Sequence, residues 1–239
     1  MQYVVFGHAE DEHEFTYDVN SPNGPHHWGE IHPEWRFKVQ TTSHLGRLDR
    51  DYKPANSTLV NRGHDMMLRW IGGAGHMHIN GTEYQLNQLH WHTPTEHTIN
   101  GRRFNLELHL VHQSSDGKIA VVGIMYKLGR PDSLLSLMEP YFKALASTKD
   151  VEKSVGMIDP REIKVGSRKY YRYIGSLTTP PCTQNVTWTI VNKVRTVSRK
   201  QLYAIHDVVH DEAEANARPV QALNNRWLKL YRPDDQQNN

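Results

Sequence analysis

Residues 105–112 read Asn-Leu-Glu-Leu-His-Leu-Val-His and alternate strictly between two kinds of surface. In a strand successive side chains point to opposite faces, so Leu106, Leu108 and Leu110 share one face while Glu107, His109 and Val111 share the other. The leucine face must be core, which requires a sheet with at least one packed side. His109 then lies on a face that is either solvent or a cavity. Further period-two or β-rich runs fall at 59–61, 66–70, 83–92, 104–112, 119–128, 170–173 and 186–191. Only two segments read as helices, 132–145 and 199–206, the second opened by a Ser198-x-x-Gln201 capping box. Strands dominate, and the expectation is a mainly β protein.

The 239 residues contain no internal repeat, low-complexity tract or Ser/Gly linker between 10 and 233, which supports a single domain. The stretch up to Trp35 is rich in Pro, Gly, His and acid and reads as irregular surface chain, and 234–239 as a frayed polar tail. Lys and Arg total 28 against 26 Asp and Glu, a net charge of +2, which argues against a dedicated nucleic-acid or membrane-surface binder. No apolar run approaches the roughly 20 residues that span a bilayer. The apolar patch at Tyr3-Val4-Val5-Phe6 is too short for a signal peptide, although sequons at Asn56, Asn80 and Asn185 would suit secretion. Cys182 is the single cysteine and has no internal disulfide partner. It follows Pro180-Pro181 in a turn, where a structural role suits it better than catalysis.

Three histidine pairs compete for a metal. A catalytic zinc needs three protein ligands aimed at one point and an open fourth position. His90 and His92, one residue apart on a strand, point to the same face, which by simple alternation also carries Tyr84, Leu86 and Gln88. With His109 they make a set of three, and Gln88 and Glu107 stand two residues from a ligand, where each could accept a ring N–H and fix its tautomer. The residues alone fit equally a polar histidine face open to solvent. His76 and His78 have the same spacing but abut the Asn80-Gly81 turn and read as exposed. His206 and His210 imitate the helical His-Glu-x-x-His motif, but with Asp207 in place of Glu and a poorly helical stretch after it. No Gly-x-Ser-x-Gly elbow, dinucleotide fingerprint or Walker loop is present.

Gln88-Leu-His-Trp-His-Thr-Pro-Thr-Glu-His97, Glu107-Leu-His-Leu-Val-His112 and Gly175-Ser-Leu-Thr-Thr-Pro-Pro-Cys182 together resemble the alpha-class carbonic anhydrases, in the flavour of the plant members. Tyr170-Tyr-Arg-Tyr173, Asn185-Val-Thr-Trp188 and Asn216-Ala-Arg-Pro219 reinforce the likeness, which runs from about Phe15 to Pro233 after a 1–14 extension. The resemblance implies a large twisted, mostly antiparallel central sheet with short peripheral helices. It implies zinc ligands His90, His92 and His109, supporting roles for Gln88, Glu107 and Asn216, and a Thr178 hydroxyl that donates to Glu96 and orients the nucleophile. The reaction implied is reversible hydration of carbon dioxide to bicarbonate and a proton by zinc-bound hydroxide. Val111, Val121, Leu177, Trp188 and Thr179 would form the substrate pocket, His64 the proton shuttle, and Tyr17 would order water. The partners implied are carbon dioxide, bicarbonate and small anions. The family's compartments are extracellular or plastid, although this chain shows no intact signal peptide. The alternative is a storage or binding protein on the same fold. One departure stands out: between Trp35 and Ser43 the family's usual stretch, whose cysteine pairs with the position of Cys182, is reduced to residues 36–42. The expectation there is a less stable fold.

Overall fold

A computed structural model describes residue 22 and residues 39–148, 150–207, 215–223 and 226–233. Tyr17, His210, the 1–14 extension and the 234–239 tail lie outside the described residues. The strands are β1 (Val39–Thr42), β2 (Asp49–Tyr52), β3 (Ala55–Asn61), β4 (Met66–Trp70), β5 (Gly75–Ile79) and β6 (Thr82–His92). A small hairpin of β7 (Thr98–Ile99) and β8 (Arg102–Arg103) leads into β9 (Leu106–Gln113) and β10 (Ile119–Leu128). Helix α1 (Ser133–Leu145) precedes β11 (Glu152–Ile158), β12 (Tyr170–Ser176), β13 (Gln184–Val191) and β14 (Arg195–Val197). Helix α2 (Arg199–His206) and β15 (Leu228–Tyr231) follow.

All strands except the β7–β8 hairpin join one sheet, in the order β1-β15-β12-β13-β10-β9-β6-β4-β3-β11, with β14 beside β10 and β5 between β2 and β6. Most pairings are antiparallel; β1 with β15, and β10 with both β13 and β14, run parallel. This is the expected mainly β architecture.

The leucine face of β9 is core. Leu106, Leu108 and Leu110 are buried among Leu59, Leu68, Trp91 and Ile124 and the inner side of α1, Leu134, Leu135, Met138 and Phe142. Each such side chain contributes about 1.5–3 kcal/mol through burial. Asp132 caps α1 by accepting from the Leu134 and Leu135 amides, and the capping box of Ser198 and Gln201 opens α2. Gln201 also bonds both backbone groups of Asp132, tying the two helix starts together. Trp91, between the two histidines of β6, meets Phe142 edge to face at 5.6 Å, so α1 anchors the strand that presents them.

Simple alternation fails on β6. The register with β9 shifts between Leu86 and Gln88, so Leu86 opposes His112 and Gln88 opposes Val111. The extra residue, Asn87, returns Tyr84 and Leu86 to the core, where both are buried, and not to the histidine face as alternation predicts. Burial of two large apolar side chains outweighs one interruption of the ladder. Gln85, opposite Gln113, thereby shares a face with Gln88, His90 and His92.

His112 closes the core face as a satisfied buried polar group. Its Nδ1–H donates to the Ala120 carbonyl at 3.3 Å, and Nε2 accepts from the Tyr52 hydroxyl at 2.6 Å. Burial pushes the ring's pKa down to about 3. An unfolded histidine titrates near 6.5, so the stability linked to this neutral ring is whole above about pH 6.5 and is lost as pH falls toward 3. Tyr52→Phe should cost about 1–3 kcal/mol in urea unfolding, because it leaves the buried Nε2 without a donor. An unchanged midpoint would show that this bond contributes nothing.

Candidate metal centre

Across the β6–β9 pairing His90 stands opposite His109, and His92 lies two residues along the same face. The three rings are steeply inclined to one another, with centroids 5.0 Å (His90 to His92), 5.2 Å (His90 to His109) and 4.6 Å (His92 to His109) apart. One ligand atom from each lies within 4.8 Å of the others. His92 and His109 are both buried, which rules out the solvated-face alternative.

The partners fix which nitrogen is free. His90 Nδ1–H donates to Gln88 Oε1 at 2.9 Å, His92 Nδ1–H to the Asn216 carbonyl at 2.9 Å, and His109 Nε2–H to Glu107 Oε1 at 3.0 Å. These tautomers follow from acceptors that can only accept. The lone pairs left over are His90 Nε2, His92 Nε2 and His109 Nδ1. His92 Nε2 is buried with no hydrogen-bond partner, a cost that a metal ion would remove. Burial, then the neighbouring rings, hold the His90 and His92 pKa values below the ordinary range, which keeps both imidazoles neutral as ligands must be.

Glu107 is the hub behind His109. Its Oε2 accepts from the Glu96 and His97 amides at 2.9 and 3.0 Å, and its Oε1 takes His97 Nδ1–H at 2.6 Å as well as His109. Burial would raise its pKa, but the charge and hydrogen bonds of His97 and His109 outweigh this and hold it well below the carboxylate range. His97 is raised for the reciprocal reason, Glu107 overcoming burial, and its Nε2 meets Tyr173 Oη at 2.6 Å. His97, Glu107 and His109 are thus already bonded to one another and form a support, not a second metal site. Asn216 staples the other side. Its carbonyl holds His92, its Oδ1 accepts from the Thr93 amide, and its Nδ2 donates to the carbonyls of His64 and Trp91.

A cleft of about 150 Å³ opens beside the histidines, lined by His90, His109, Val111, Val121, Leu177, Thr178, Thr179 and Trp188. It is smaller than the 300–1,000 Å³ of ordinary ligand pockets, so it suits a very small substrate. The family model for eukaryotic-type carbonic anhydrases matches residues 35–232. The chain belongs to that family. Alpha carbonic anhydrase 7 of Arabidopsis thaliana is 55% identical to it over 242 residues, covering 95% of this chain and 88% of that protein. Among solved structures, dioscorin complexed with ascorbate superposes with a TM-score of 0.80 at 39% identity, covering 93% of this chain and 99% of that one. The alpha-carbonic anhydrase from Thermovibrio ammonificans, in complex with sulfanilamide, gives 0.71 at 30% identity over 90% of this chain and 99% of that one.

In this carbonic anhydrase the structure gathers the five proposed pocket residues, Val111, Val121, Leu177, Thr179 and Trp188, with Thr178 in one wall. One expected contact is absent: Thr178 makes no hydrogen bond to Glu96. Glu96 Oε1 accepts instead from the Arg218 amide at 2.9 Å, and its Oε2 is buried without a partner, 4.0 Å from His109 Nδ1. His64 lies at the surface, half exposed, with Nε2 3.8 Å from Asp65 Oδ2. Alternation overlooked His97 and Tyr173, because their link to Glu107 crosses from the loop after β6 to β9 and β12. It also overlooked Asp65, a buried carboxylate in the cleft wall that Arg62 grips with both Nε and Nη2. His206 is exposed on α2.

Proposed function

We propose that this carbonic anhydrase catalyses the reversible hydration of carbon dioxide with a zinc ion held by His90 Nε2, His92 Nε2 and His109 Nδ1. The observation that carries the reading is the donor set: three imidazoles, each fixed from behind by an acceptor, with one ligand atom of each within 4.8 Å of the others beside a small cleft. Zinc bound there supplies Lewis acidity that lowers the pKa of water from 15.7 to about 7, a magnitude established for carbonic anhydrases as a class.

The chain's own residues do the rest. Val111, Val121, Leu177 and Trp188 give the cleft an apolar wall that holds an apolar triatomic molecule weakly. Thr178 and Glu96 act as positioning residues: the unpartnered Glu96 Oε2 is the acceptor on which the Thr178 hydroxyl can place its hydrogen, leaving its oxygen lone pairs to orient the attacking species. His64, half exposed at the surface, carries the product proton to buffer, a task an imidazole suits because it can both take up and release a proton. His64→Ala should therefore slow turnover several-fold in dilute buffer and recover with added imidazole; equal rates in dilute buffer would remove His64 from the mechanism.

A second reading, a binding or storage protein, draws support from the likeness to dioscorin solved with ascorbate. The hydration rate of purified, zinc-replete protein separates the two. Acceleration that a chelator abolishes supports the enzyme, and zinc-loaded protein with no acceleration overturns it.

A further inference from the structure

We propose a second metal site, independent of the first, at the β5–β6 hairpin: His76, His78 and Glu83 bind a divalent transition-metal ion of the zinc and copper(II) type. The pairing of β5 with β6 sets His78 opposite Glu83 and His76 opposite Gln85, so all four side chains share one face. Both imidazole Nε2 atoms lie 3.7 Å from the same oxygen, Glu83 Oε2. One ligand atom from each of the three residues lies within 4.8 Å of the others.

Two features make this more than a chance meeting of polar groups. First, 3.7 Å is too long for a hydrogen bond but near the edge of a tetrahedron around zinc, about 3.3–3.6 Å for ligand bonds of about 2.0–2.2 Å. Shifts of a few tenths of an ångström would bring both of these edges to that length. Second, the carboxylate is already oriented: Gln85 Nε2 donates to Glu83 Oε1 at 2.6 Å, which leaves Oε2 turned toward the histidines. The rings themselves stand edge to face, with centroids 4.8 Å apart.

The neighbouring strand adds charge of the right sign. Pairing of β2 with β5 sets Asp49 opposite His78 and Asp51 opposite His76, so two further exposed carboxylates flank the pair. Lys53 borders the hollow next to His76, and Arg161 also feels the charge of Asp51. Two imidazoles and one carboxylate favour zinc, nickel or copper over calcium or magnesium, which take oxygen ligands. The side chains are a quarter to a half exposed, so an ion can enter without opening the fold. Glu83 and His90 are seven positions apart along β6, roughly 23 Å at about 3.3 Å per step, so the two sites do not share ligands.

The test uses the full-length protein with its first site already loaded with zinc, titrated with zinc chloride in a calorimeter. The expected result is a second, weaker equivalent per chain. It should vanish in the His76→Ala/His78→Ala variant and weaken at least about tenfold in Glu83→Gln, while hydration activity stays at the wild-type value. Gln85→Ala should weaken it by about 10-fold, the lower end for residues that orient a ligand. Copper(II) added to the same sample should show nitrogen coupling in its electron paramagnetic resonance spectrum, and this coupling should be lost in the double-histidine variant. No second equivalent in the wild type, or one that survives in the double variant, would overturn the proposal.

Discussion

His109→Ala is expected to abolish hydration of carbon dioxide and to release most of the zinc, whereas His76→Ala leaves the hydration rate unchanged. His109 supplies the only free nitrogen that β9 presents to the His90 and His92 pair, and its other nitrogen is bound to Glu107. Removing it leaves two ligands, one short of the three a catalytic zinc requires. Metal content by atomic absorption and hydration by stopped flow check both halves on one sample. A variant that keeps its zinc and its rate would show that the wrong histidines have been chosen.

Glu107→Ala should be the most destabilising change at the centre. Four donors converge on that carboxylate: the Glu96 and His97 amides, His97 Nδ1–H and His109 Nε2–H. Breaking a buried charge pair by removing one partner costs about 3–5 kcal/mol, a large share of the roughly 5–15 kcal/mol that holds a domain together. The melting temperature should fall on the order of 10 °C. Zinc affinity should fall by about 10- to 100-fold in whatever fraction folds, because His109 loses the acceptor that fixes its tautomer. Glu107→Gln, which keeps one acceptor oxygen but turns an amide N–H₂ toward donors, should fall between the two. A Glu107→Ala protein melting within about 2 °C of wild type would contradict the role of this carboxylate as the hub.

What could be read from the sequence, and what could not, follows from the range of the signals. The strict alternation of 105–112 was legible because period two is local, and it led to the buried leucines and the histidine face together. The capping box at Ser198 and Gln201 was legible for the same reason, as it needs only four residues. The bulge at Asn87 was not, since alternation cannot show an extra residue whose only signature is the register of a partner strand. The short strands β1, β2, β11 and β15 carry little pattern of their own and are fixed by neighbours far along the chain, β15 by β1 and β12, and β11 by β3. At the site His90, His92 and His109 stood out by spacing, and Gln88 and Glu107 by lying two residues away. Asn216 required the family resemblance, because its contact with His92 spans 124 residues. Resemblance in turn supplied a Thr178 to Glu96 bond that the structure does not form, where the Arg218 amide takes one carboxylate oxygen and the other stays unpartnered.

The proposed function rests on one zinc held by His90, His92 and His109. The most direct measurement is a titration of metal-free protein with zinc while hydration of carbon dioxide is followed. Activity should rise linearly and saturate at one zinc per chain, with no further gain as a second equivalent binds. Saturated binding with a rate no faster than buffer alone, or activity that needs the second equivalent, would contradict it.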